Sequence, residues 1–99
     1  MIRATTPTHT FTLPIETSLI KELLITYKQD DEIVVERKKD SCICAGSKVE
    51  LTLTQEETRR FSAEKVLIQL RVLTNDGQAL VSDVIRRYVT DVLNDVVLE

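Results

Sequence analysis

His9 is the only histidine of the chain, and it stands beside Phe11 in the alternating run Thr8–Leu13. Acyl-transfer chemistry through it would need a serine or cysteine nucleophile on one ring nitrogen and an acid on the other. No nucleophile elbow of the G-x-S-x-G kind is present, so His9 reads as a packed or edge residue. Cys42 and Cys44 form a C-x-C pair. On a strand they share a face at a separation that disfavours a mutual disulfide. A zinc site needs four ligands, usually from two separated pairs, and only His9 is left to help. Both thiols therefore read as small packing residues, with an intermolecular disulfide or a metal shared between subunits as the alternative.

Oxygen chemistry is equally thin. Asp30-Asp31-Glu32 and Asn75-Asp76 would have to meet at one end of the fold to hold calcium, which takes six to eight oxygens in a spaced pattern neither run shows. Turn formation already accounts for these residues. A carboxylate pair for glycoside hydrolysis can be drawn from them, but a chain this short shows no cleft for a sugar. Arg37-Lys38-Lys39, Arg59-Arg60 and Arg86-Arg87 would grip phosphate or an acidic partner if they converged. Interleaved acids (Glu36, Asp40, Glu56, Glu57, Asp83, Asp91) favour a mixed, solvated surface instead.

The bulk numbers agree with this restraint. Ninety-nine residues make one domain with a single small core. Its filling must be aliphatic, since Phe11, Tyr27, Phe61 and Tyr88 are the only aromatics. A net charge of −3 argues against a nucleic-acid binder, and four scattered aromatics make no stacking platform. MIRATTPTHTFTL contains no long apolar core, so neither a signal peptide nor a membrane span is expected. The expected setting is a reducing cytosol.

The elements that would position these residues are mostly strands. Residues 1–7 read as a flexible arm ending at Pro7, and residues 8–99 as one domain. Thr8–Leu13 is an edge strand closed by Pro14. Ile20–Gln29 puts Leu23, Ile25 and Tyr27 on one face, turns at Asp30-Asp31, and returns along Glu32–Lys39. Arg37, Lys38 and Lys39 would carry that arm into solvent. Cys42–Ala45 is short, Gly46-Ser47 turns, and Lys48–Thr54 alternates cleanly. Thr54 with Glu57 fits a capping box opening about two turns of helix that end near Phe61. Such a connection crosses between sheets, with Phe61 as the plug and the charges at Glu56, Glu57, Arg59 and Arg60 solvated.

Lys65–Thr74 is the central strand, with Val66, Ile68, Leu70 and Val72 on one face. Asn75-Asp76-Gly77 is the strongest hairpin signal. The following segment is ambiguous. Val81, Val84, Ile85, Tyr88, Val89, Val92 and Val96 would stripe a helix, yet β-branched residues dominate and the turn leads into an antiparallel partner. A bulge near Asp83–Arg86 would explain the broken alternation. The preferred reading is an all-β, seven-stranded, immunoglobulin-like β-sandwich with one short helical turn between strands. The alternative is an α+β fold with a C-terminal helix at 81–96. The sandwich is argued on strand number and spacing alone, for the chain has neither tryptophan nor a bridging cysteine pair.

Three runs also carry a resemblance: Thr6–Pro14 (TPTHTFTLP), Leu51–Thr58 (LTLTQEET) and Ile68–Asp83 (IQLRVLTNDGQALVSD). They are similar to small uncharacterised prophage proteins of Gram-positive bacteria. That resemblance implies a phage structural or accessory role near the tail genes, without catalytic residues, and a strand for the last segment. Apolar side chains beyond what one core needs point to protein association. Leu24, Val34, Leu67, Leu73, Ile85 and Val89 are the candidate interface, and Thr8–Leu13 is an edge available for strand addition. The expected function is a non-enzymatic assembly protein of a bacteriophage that oligomerises or docks onto tail or baseplate proteins. No cofactor, nucleic acid or membrane is expected. The expected location is the bacterial cytoplasm during assembly, with the virion as a further destination. The alternative is a carbohydrate or cell-surface ligand module, for which Tyr27 and Tyr88 are the only stacking donors.

Overall fold

A computed structural model describes all residues, Met1–Glu99. Two ten-residue strands, β2 (Ile20–Gln29) and β6 (Lys65–Thr74), run antiparallel at its centre, with Leu23 opposite Val72, Ile25 opposite Leu70 and Tyr27 opposite Ile68. Alternation sends these six side chains to one face, where all are buried. β3 (Glu32–Lys38) pairs with the free edge of β2. The turn between them works because Asp30 and Asp31 both adopt positive φ, 47° and 63°, as a tight two-residue hairpin requires. A bulge between Tyr27 and Lys28 shifts the register of this pair.

The other edge of β6 is shared by β7 (Ala79–Val81) and β8 (Ile85–Tyr88). A second sheet has the order β1 (Thr8–Thr12), β5 (Lys48–Thr52), β4 (Ile43–Ala45), all antiparallel. Phe11, Val49 and Leu51 from this sheet join the buried faces of β2 and β6 in one core of fifteen residues. α1 (Gln55–Arg59) links β5 to β6. The capping box is present: Thr54 Oγ1 accepts from Glu57 N–H, and the Glu57 carboxylate accepts from Thr54 N–H. Phe61 fills the crossing, with its ring 5.9 Å from that of Tyr27.

The ambiguous last segment is strand at Ala79–Val81 and Ile85–Tyr88 and neither strand nor helix beyond Thr90, and the helix at 81–96 is not formed. Eight strands replace the expected seven, because a bulge divides the final arm. Val81 faces Arg71 and Ile85 faces Ile68, so three residues of the arm oppose two of β6. That extra residue moves Val81 to one face and Ile85 to the other, which is why the apolar spacing imitates a helix. Ser82 bridges the gap. Its N–H donates to Leu70 C=O at 2.9 Å, and its hydroxyl oxygen accepts from Leu70 N–H at 3.0 Å. The hairpin also differs in detail from a two-residue turn. Only Gly77 has positive φ (89°), closing a three-residue loop, and Thr74 Oγ1 accepts from Gln78 N–H.

The segment expected as a flexible arm is docked. Ile2 forms a parallel bridge with Thr90, Arg3 N–H donates to Thr90 C=O, and Leu53 N–H donates to Pro7 C=O. Arg3 reaches Asp91 at 2.6 Å and Asp95 at 2.9 Å, residues nearly the whole chain away.

Ser82→Ala leaves the Leu70 N–H without its acceptor inside a sheet. An unmade bond of this kind costs about 1–3 kcal/mol, which denaturant unfolding will read, and Ser82→Thr should restore most of it.

Candidate protein-binding face

The register that buries one face of the five-stranded sheet exposes the other. Leu24 faces Arg71, Thr26 faces Gln69, Lys28 faces Leu67 and Glu22 faces Leu73. β3 adds Glu36 and Lys38, β7 adds Ala79 and Val81, and β8 adds Arg86 and Tyr88. No second layer covers this face. Leu24, Leu67 and Leu73 are half-buried rather than bare, flanked by basic side chains of the kind whose alkyl stems cover apolar neighbours.

Charge is distributed unevenly. Lys28, Lys38, Lys65, Arg71 and Arg86 oppose only Glu22 and Glu36 on this face, a balance of +3. The chain as a whole carries −3, so the remaining surface carries −6. At the end where β6 closes, Leu24, Leu73, Leu80, Lys38 and Arg71 help line a groove of about 890 Å³. Lys21, Lys38, Lys39 and Arg71 stand there beside Glu22, Glu36 and Asp40, so this apolar groove with mixed charge and a slight basic excess suits an aliphatic protein surface carrying charges of its own.

The six residues expected to form an interface do not stay together. Leu24, Leu67 and Leu73 lie on this face. Val34, at the bulge of β3, and Ile85, which faces Ile68, pack against the core instead. Val89 is itself core, 5% exposed, with its N–H donating to Glu64 C=O. Sequence reading did not bring the cations and Tyr88 onto the same face as these leucines, although for the strand itself the outward phase of Lys65-x-Leu67-x-Gln69-x-Arg71-x-Leu73 carries the signal.

The groups weighed for chemistry are committed elsewhere. His9 Nδ1 shares a 2.6 Å hydrogen bond with the Tyr27 hydroxyl. Burial, helped by the charges of Arg87 and the N-terminus, holds the His9 pKa below its ordinary value. Burial likewise raises the Tyr27 phenol, with the neighbouring charges of Cys42 and Glu57 adding to it. Cys42 and Cys44 are free, half-buried and packed on the core. Burial and the proximity of Cys44 push the Cys42 thiol up, which disfavours the reactive thiolate. Asp30-Asp31 and Asn75-Asp76 sit at opposite ends of β6, about 30 Å apart at the usual strand rise, so they share no site.

The basic runs do not converge either. Arg37 faces Ile25 on the inner side, and its guanidinium lies 2.5 Å from Glu57. Glu57 thus ties α1 to β3 and is not the solvated charge expected, and Lys39 Nζ donates to Ile20 C=O rather than to water. Burial pushes the Glu57 carboxyl up, but hydrogen bonds from Thr54 N–H and Arg37 outweigh it and leave the pKa below the ordinary value.

Compared with protein families, curated proteins and solved structures, the chain matches none. Its function must be argued from the face itself.

Two measurements check this description. As pH falls through about 6.5, the unfolded chain binds a proton at His9 that the folded chain, with its depressed pKa, resists. Stability therefore drops from that pH downward, and His9→Gln should flatten this part of the profile in urea unfolding. Arg37→Met strands a mostly buried carboxylate and should cost about 3 kcal/mol, the low end for a broken buried pair because Glu57 keeps its bond from Thr54 N–H, with part of the loss recovered by adding Glu57→Gln.

Proposed function

We propose that this chain is a non-enzymatic structural or assembly protein of a bacteriophage. In this reading it is a small immunoglobulin-like β-sandwich that oligomerises or docks onto tail or baseplate proteins through the outer face of its larger sheet. The observation that carries the reading is that face: three leucines and a net positive charge on two long strands, with nothing layered over them. Uncovered aliphatic surface of this kind usually marks a protein partner.

The strand order supports the architectural part. If β1 is placed as strand B, the orders β1-β5-β4 and β3-β2-β6-β7 correspond to B-E-D and C′-C-F-G of the immunoglobulin arrangement. α1 then falls at the E–F crossing, and fully buried Tyr27 takes the strand C position where antibody domains bury a tryptophan. The resemblance of the three sequence runs to prophage proteins supplies the biological setting. The protein would act in the bacterial cytoplasm during assembly and remain in the virion if its partner does.

The test is fractionation. A tagged full-length chain produced in the source lysogen should cosediment with particles after induction. Leu67→Glu should move it to the supernatant while leaving its melting curve within about 1 kcal/mol of the parent, as surface substitutions do. A parent chain found wholly outside the particles throughout assembly overturns the reading.

One observation favours a second reading. Tyr88 is 75% exposed on the same face, opposite Lys65, and so remains available for stacking on a sugar, whereas Tyr27 does not. Binding on a glycan array that disappears with Tyr88→Ala would establish that alternative; an array without signal removes it.

A further inference from the structure

The last nine residues present the second unusual surface of the molecule. Beyond Thr90 the chain forms no strand or helix, yet it is held in place by polar contacts. Arg3 grips Asp91 and Asp95, and the Gln55 amide donates to Leu98 C=O at 3.0 Å and accepts from Leu98 N–H at 2.9 Å. These anchors leave the aliphatic groups in water. Leu93 is fully exposed, Leu98 is 74% exposed and Val96 57%. An apolar segment fixed by its polar atoms, with its aliphatic side chains outward, is preorganised for a surface that can cover them.

The sheet's outer face is complementary to it. Val92–Glu99 carries no cation; its acids are Asp95, which Arg3 and Arg59 already hold, and Glu99, which is left to answer the +3 of the face. Its aliphatic groups answer Leu24, Leu67, Leu73 and the exposed Val81. Within one chain the two surfaces are apart: the segment lies along Arg3, Gln55 and Arg59, none of which belongs to the outer face.

We propose that the outer face of β3-β2-β6-β7/β8 receives the C-terminal segment Val92–Glu99 of a second copy. The contact is heterologous, one surface against a different one, so each copy keeps a free face and a free tail and assembly continues into an open chain or closes as a ring. This deepens the assembly role proposed above and rests on it, since it names the partner as another copy.

Sedimentation of the full-length chain tests the pairing. The parent should self-associate, more weakly as salt rises. Leu93→Asp disables the tail and Arg71→Glu the face. Both sites are exposed, so the folds should survive, as their circular dichroism will report. Each variant alone should dissociate at least about tenfold more readily, the scale of losing a desolvated contact or charge pair. Mixed in equal amounts, they should form a one-to-one dimer that grows no further, because one competent tail meets one competent face.

Three results overturn the proposal. One is a parent chain that stays monomeric up to about 1 mM, including one whose tail covers its own face. The second is association that Leu93→Asp leaves unchanged. The third is a mixture that stays monomeric. None of them touches particle cosedimentation, so the docking reading stands or falls separately.

Discussion

The antiparallel register between β2 and β6 is the constraint from which the remaining structure follows. It aligns Leu23, Ile25 and Tyr27 with Val72, Leu70 and Ile68, and fully burying an aliphatic side chain of this size contributes about 1.5–3 kcal/mol. A slip of one residue would turn that entire set to solvent. The same register fixes Leu24 opposite Arg71 and Lys28 opposite Leu67 on the reverse side. Core and outer face are therefore two consequences of one pairing, and the face cannot be rearranged without dismantling the core. β3, β7 and β8 have only the edges of this ribbon to join, and they extend both surfaces together.

Polar groups then fix how the smaller sheet and the crossing helix sit on that ribbon. Tyr27 is fully buried, and its hydroxyl would be costly there without a partner; His9 on β1 supplies one across the gap. Gln29, also buried, donates to Ser62 C=O and accepts from Ser62 N–H, which ties the end of β2 to the stretch entering β6. Arg37 and Glu57 join β3 to α1, and the same carboxylate closes the helix cap. Each contact is directional where aliphatic packing is not. Together they select one placement of the second sheet among the many that would bury similar area.

Local rules made much of this legible. Alternation marked Thr8–Leu13, Lys48–Thr54 and Lys65–Thr74, which form strands at Thr8–Thr12, Lys48–Thr52 and Lys65–Thr74; the Thr54–Glu57 box marked α1 and Asp30-Asp31 marked a turn, because each signal lies within a few residues of its consequence. The misreadings all involve partners far along the chain. Nothing near Arg3 indicates Asp91, and nothing near Arg37 indicates Glu57, so residues 1–7 read as a flexible arm and Arg37 as a solvated charge. Val89 looked like surplus surface because the Glu64 carbonyl that captures its N–H belongs to another element. The final arm was ambiguous for a different reason. One bulge residue resets a period-two pattern, and the apolar spacing on either side of that reset is shared by helices.

The distribution of aromatic residues limits what the outer face can recognise. Phe11, Tyr27 and Phe61 are buried in the core, and Tyr88 alone remains outside. A surface of leucine stems and ammonium or guanidinium heads with Tyr88 as its one ring has no row of flat π-platforms on which successive bases could stack. A partner docked as proposed would be selected by aliphatic complementarity and by the placement of charge. Outward positions on a strand are geometrically equivalent every two residues, and the two outward leucines of β6, Leu67 and Leu73, are too far apart to fix a partner's register by apolar contact alone. Arg71, set between Leu67 and Leu73 and opposite Leu24, breaks that translational equivalence, because only one register places an acid against it. Salt should therefore weaken the contact and also loosen its register, whereas a purely aliphatic face would lose neither.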